Sequence, residues 1–120
     1  MKGVLIVAHG SRRKQTERTL ETVAQTARQK LPGTPMEIAY MEFSERNIPA
    51  GLDALAGRGA NEIVVVPYFL FDGIHIQEDI PEALEQYRAA HPDVKITMGN
   101  PLGTDERLAA ILAERALECL

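Results

Sequence analysis

Two unbroken runs of four large aliphatic residues, Val4-Leu5-Ile6-Val7 and Ile63-Val64-Val65-Val66, constrain this chain more than any other feature. A strand with one wet face alternates apolar and polar residues, so a continuous run predicts a strand covered on both faces. Between the runs the spacing becomes helical. Leu20, Val23, Ala24, Ala27 and Leu31 share one face of a helix over 13–31, which Pro32-Gly33 stops. Met36–Phe43 predicts a second strand. Ile48–Gly57 predicts a short helix with Leu52, Leu55 and Ala56 inward, closed by Gly57 and Gly59. Ile80, Ala83, Leu84 and Tyr87 mark a third helix, with Asp79 as its cap and Pro81 in its first turn, ending before Pro92. Val94–Met98 is the fourth strand. Leu108, Ile111, Leu112, Ala116 and Cys119 form the apolar stripe of a last helix.

This alternation predicts an α/β fold, a three-layer sandwich with a four-stranded parallel sheet and helices on both faces. Right-handed crossovers favour the flavodoxin-like strand order 2-1-3-4, with residues 1–120 forming a single domain. Thirteen basic against seventeen acidic residues, a formal charge of -4, exclude a general nucleic-acid binder. One cysteine, Cys119, excludes an internal disulfide and a cysteine-based metal cluster within the chain. Val4–Ala8 is too short for a signal peptide and Ile63–Phe71 too short for a membrane span, so a cytoplasmic protein with no membrane partner is expected.

In a sheet of this order, ligands bind beyond the carboxyl ends of the strands, where the direction of crossover reverses between strands 1 and 3. His9 leaves strand 1 at that edge, Glu42 leaves the neighbouring strand 2, and His75 follows strand 3. Neighbouring strands lie ~4.8 Å apart, so these side chains could converge on one small ion. Two imidazoles and a carboxylate suit a borderline divalent cation such as Co²⁺, Ni²⁺, Fe²⁺ or Zn²⁺. Taken singly, each is equally well a solvated polar residue. Asp79 could orient His75, although capping a helix explains it as well. His91, before Pro92, reads as a helix C-cap without chemistry.

Ser11 is a plausible N-cap, and Arg12, Arg13 and Lys14 follow it at a helix start, where cations oppose the macrodipole. That placement hints at an anionic partner. The bland alternative is pairing with Glu17 and Glu21 at helical spacing. In the loop Phe69–Ile76, Phe71, Gly73 and Ile74 surround His75 in a chain with only 5% aromatic residues. They suit either strand-end packing or a pocket for a flat organic ligand.

The runs Ala8-His9-Gly10-Ser11-Arg12, Pro67 through Pro81 with Phe71-Asp72-Gly73-Ile74-His75 at its centre, and Pro101-Leu102-Gly103-Thr104-Asp105-Glu106-Arg107-Leu108 resemble the sirohydrochlorin chelatases, the class II tetrapyrrole chelatases, and their short-form cobaltochelatases in particular. The resemblance extends over essentially the whole chain. It implies insertion of a divalent metal, Co²⁺ favoured over Ni²⁺ or Fe²⁺, into sirohydrochlorin, a macrocycle bearing carboxylates. The metal is then a substrate, and no organic cofactor is needed. The resemblance further implies that His9 and His75 hold the metal and take part in catalysis, with Glu42 as a looser match for an acidic partner. Gly10, Ser11, Arg12, Arg13, Phe71, Gly73 and Ile74 are expected on the substrate, and a homodimer is expected. Two alternatives stand beside this reading. A histidine phosphatase also places His-Gly after its first strand, but with Arg before the His where this chain has Ala8. A metal or tetrapyrrole carrier would bind without accelerating insertion.

Overall fold

The computed structural model describes residues 1–120 apart from the side chain of His75. Its elements are β1 (Lys2–Ala8), α1 (Lys14–Lys30), β2 (Met36–Tyr40), α2 (Ile48–Gly57), β3 (Glu62–Pro67), α3 (Ile74–Ala90), β4 (Lys95–Met98) and α4 (Glu106–Leu117). The four strands form one all-parallel sheet in the order β2-β1-β3-β4. This is the expected α/β fold and strand order.

The period of two along a strand divides β1 between two cores. Leu5 and Val7 join Leu52, Leu55, Ile80 and Leu84 of α2 and α3 on one face. Val4 and Ile6 pack on the other face with Leu20 and Ala24 of α1. α2 approaches β1 so closely that a Cβ on Gly51 would meet Leu5 Cδ1 at 2.6 Å. Glycine lets the helix approach the sheet without displacing the Leu5 methyl group.

The structure departs from the sequence reading in several elements. First, β2 ends at Tyr40 rather than Phe43, and Phe43 itself, at φ 61°, lies outside the extended backbone of a strand. Second, α3 starts at Ile74 with Gly73 as N-cap, so Asp79 is an interior residue and Pro81 sits inside the helix. The first turn closes through the Gln77 N–H donating to the Gly73 carbonyl at 2.9 Å. Ile76, Ile80, Leu84 and Tyr87 keep helical spacing across Pro81 and pack into the core, and that burial outweighs the single hydrogen bond the proline removes. Third, only Leu20 and Ala24 of the α1 stripe are buried, whereas Val23 and Leu31 are exposed. Fourth, no residue of α4 is buried: the stripe that includes Ile111 and Leu112 faces outward, and Val64 on β3 is left uncovered. The radius of gyration, 15.2 Å, accordingly exceeds the roughly 13.6 Å expected of a compact chain of this length.

α2 and α3 are joined by Tyr87, whose hydroxyl donates to Asp53 Oδ1 at 2.8 Å and whose ring stacks on His91 with centroids 4.0 Å apart. His91 is the C-cap of α3, as the sequence suggests. Burial, and then the Asp53 carboxylate, push the Tyr87 hydroxyl up to about 12. The folded state therefore favours the neutral phenol. The associated stability is complete below the unfolded value of 10.0 and is lost as pH rises through about 12. In urea titrations, the protein should lose on the order of 2 kcal/mol between those limits. Tyr87→Phe should cost about 1 kcal/mol at neutral pH and should lack that alkaline loss.

The β1–β2 ladder continues past both strands. Met41 N–H donates to the Ala8 carbonyl and Glu42 N–H to the His9 carbonyl, each at 3.0 Å. Gly10 then turns with φ 99°, and a Cβ there would overlap the Glu42 carbonyl. Gly10→Ala should therefore destabilise the fold by more than the ~1 kcal/mol of a left-handed backbone alone, read as a lowered urea midpoint with unchanged slope.

Candidate functional site

The extended ladder sets Glu42 directly beside His9 at the carboxyl edge of the sheet. The side chains meet there, with His9 Nε2 3.5 Å from Glu42 Oε2. Both are more than half exposed, and an ion pair in that setting contributes roughly 0–1 kcal/mol. Stability is thus a poor reason for placing a basic nitrogen and a carboxylate side by side. Together they offer a lone-pair donor for a cation and an adjacent acceptor for a proton.

His9 and Glu42 border a cavity of about 610 Å³ with Met41, Phe69, Ile76 and Asp79. A smaller space of about 290 Å³ shares Met41, Glu42 and Asp79 with it and reaches Asn47 and Pro49 at the start of α2. The cavity thus draws on β1, β2, β3 and α3, beside the point where the crossover direction reverses. Met41 and Asp79 are the residues that sequence reasoning did not assign to a cavity. The signal for Asp79 was the four-residue step from Ile76 to Ile80, which carries the helix period back across Pro81.

His75 is the second residue of α3, four residues before Asp79 in the same helix. Its proposed role as a metal ligand falls on a side chain outside the described residues. Among the described residues, no three His, Cys, Asp or Glu side chains gather closely enough to hold an ion.

The residues expected on a substrate fall into two groups. Gly10 backs onto Glu42 as described. Ser11 does not cap α1: the helix starts at Lys14 with Arg13 as N-cap, and Ser11 Oγ accepts the Arg13 N–H at 3.1 Å in a tight turn. The alternative pairing of the basic cluster with Glu17 and Glu21 is absent among the described residues. Glu21 binds Arg28 at 2.9 Å and reaches Arg46 at 3.8 Å, and no ion pair to Arg12, Arg13, Lys14 or Arg18 occurs among the described residues. Arg12 instead lies over the Phe43 ring, its Cζ 4.9 Å from the centroid. Across β1, Phe71 and Ile74 are 81% and 72% exposed and flank the N-cap Gly73. They stand on the surface past Phe69 rather than lining the cavity.

Comparison with known proteins bears on the family and the fold. The CbiX family model matches residues 3–119. A sirohydrochlorin cobaltochelatase from Sulfurisphaera tokodaii is 37% identical, over 100% of this chain and 95% of its own length. A sirohydrochlorin ferrochelatase from Priestia megaterium is 33% identical over 98% of this chain, which spans only 44% of that relative. The crystal structure of the sirohydrochlorin chelatase SirB from Bacillus subtilis subspecies spizizenii in complex with cobalt superposes with a TM-score of 0.92 at 29% identity, over 98% of this chain and 50% of that one. With its four-stranded parallel sheet and its match along nearly the whole length, the chain belongs to the CbiX family.

Proposed function

We propose that this chain inserts a divalent metal ion into sirohydrochlorin. The observation that carries the reading is the His9–Glu42 pair, 3.5 Å apart at the mouth of the cavity, in a chain of this family. One M²⁺ enters the macrocycle and two pyrrole protons leave, so the reaction needs a metal holder and a proton acceptor. In this reading, His9 and His75 hold the ion with water completing its shell. An open shell of this kind can release the ion, which a closed four-ligand cage does not. Imidazole and carboxylate both accept protons, and Glu42 stands next to the imidazole to take or pass on a pyrrole proton. Gly10 and Ser11 shape the turn beneath the substrate. Arg12 and Arg13 carry uncompensated positive charge toward its carboxylates, and Phe71, Gly73 and Ile74 meet the macrocycle from the other side of β1. The work is done in the cytoplasm.

Co²⁺ is the metal we favour, supported by the relatives named as cobaltochelatases that match nearly end to end. The ferrochelatases among the relatives keep Fe²⁺ as the alternative, and Ni²⁺ suits the same donors. The phosphatase reading keeps only the His9-Gly10 step after β1 in its favour. Ala8 precedes His9, and the family match is to CbiX.

The deciding experiment follows anaerobic sirohydrochlorin absorbance with Co²⁺, Ni²⁺ and Fe²⁺ in parallel, with and without protein. Acceleration is expected, greatest with Co²⁺. No acceleration over spontaneous insertion would leave the protein a carrier. His9→Ala, His75→Ala and Glu42→Gln should each slow insertion by roughly 100-fold, the scale of a lost general acid–base group. Unfolding midpoints should stay near wild type.

A second copy of the chain completes the site in this reading, because one sheet edge supplies only one wall for a macrocycle. The uncovered Val64 face of β3 and the outward stripe of α4, with Leu112 74% exposed, support such a homodimer. Leu112→Glu should shift the sedimenting species from dimer to monomer and reduce insertion. A monomeric wild-type protein with full activity would contradict the dimer.

A further inference from the structure

Phe43 combines three properties that packing does not explain. It holds φ 61°, a backbone region that bulky residues avoid. It does so while leaving its side chain 53% exposed, so burial does not compensate the strain. The ring is also covered on one face by the Arg12 guanidinium, 4.9 Å from its centroid. The strained position is built into the site. Phe43 directly follows Glu42, whose N–H is bound to the His9 carbonyl and whose own carbonyl is pressed against Gly10, itself at φ 99°. Two left-handed residues thus stand at the ends of β1 and β2, and the exposed ring is carried by the residue that directly follows Glu42. Strain retained at a functional edge is a common mark of a residue held for a ligand.

We propose that Phe43, clasped by Arg12, is the substrate-positioning platform of this site. The ring offers a flat apolar face to a conjugated macrocycle, and the guanidinium above it offers charge to a peripheral carboxylate. The occupant fits both features: planar, aromatic and anionic. Phe71 and Ile74, exposed on the far side of β1, supply the opposite border, so the macrocycle is centred over His9. This inference rests on the chelatase reading and adds a positioning residue to it.

The test measures KM and kcat for sirohydrochlorin with Co²⁺, equilibrium binding of metal-free sirohydrochlorin, and thermal midpoint. Phe43→Gly removes ring and strain together. It should raise KM and the dissociation constant at least five-fold, lower kcat much less, and leave the midpoint equal to or above wild type. Phe43→Leu, which keeps bulk without the aromatic face, should also weaken binding, whereas Phe43→Tyr should restore it. Binding by Phe43→Gly equal to wild type would overturn the proposal. So would a Phe43→Gly loss confined to kcat and accompanied by a lower midpoint, which is the signature of a structural role. A wild-type protein that neither binds nor metallates sirohydrochlorin would instead overturn the chelatase reading on which the platform rests.

Discussion

The parallel pairing of β1 with β2 is the interaction on which the rest of this structure depends. Its register, Ala8 opposite Tyr40, places the next residues in step after both strands have ended. The backbone bonds Ala8–Met41 and His9–Glu42 carry the ladder into the loops. The 3.5 Å approach of imidazole and carboxylate therefore follows from sheet register rather than from attraction between the side chains. A slip of one residue would turn Leu5 and Val7 out of their core and separate His9 from Glu42 at the same time. The hydrophobic pattern that stabilises β1 is thus also what aligns the chemistry.

Around that aligned pair, the chain accepts local costs. Gly10 and Phe43 both adopt left-handed backbone, and only glycine does so freely. Arg12, Arg13 and Lys14 lie at the N-terminal end of α1 against the macrodipole, and Glu21 is engaged elsewhere by Arg28. The left-handed Phe43 and the basic cluster are each unfavourable for a domain selected for stability alone. All of them border the same sheet edge, where a flat polyanion and a divalent cation would offset them. The stabilising work is done away from this edge, by Leu52, Leu55, Ile80 and Leu84 on the sheet and by the Tyr87–Asp53 bond between α2 and α3.

Much of the fold was legible because burial writes itself into spacing. The continuous apolar runs and the helix stripes specified a parallel sheet and its order, and the strand ends put His9 and Glu42 on one edge. Asp79 and Pro81 together imitate a helix beginning, so the local pattern points to a start for α3 that is later than Ile74. The deciding residue, Ile76, contributes through its packing and shows only as one more step of the period. The exposure of the α4 stripe is not legible in its spacing, because an apolar helix face looks the same whether its cover is this chain or another surface.

The sequence by itself determined the strand order, the two-sided core around β1 and the sheet edge that His9 and Glu42 share, since these follow from hydrophobic period and crossover handedness. Only the tertiary structure decided that Glu42 touches His9, that Asp79 lines their cavity and that Phe43 stands strained under Arg12. Those facts depend on backbone dihedrals and on the meeting of loops distant in sequence. No local pattern encodes them, because the contacts exist only once the register of the sheet has brought the loops together.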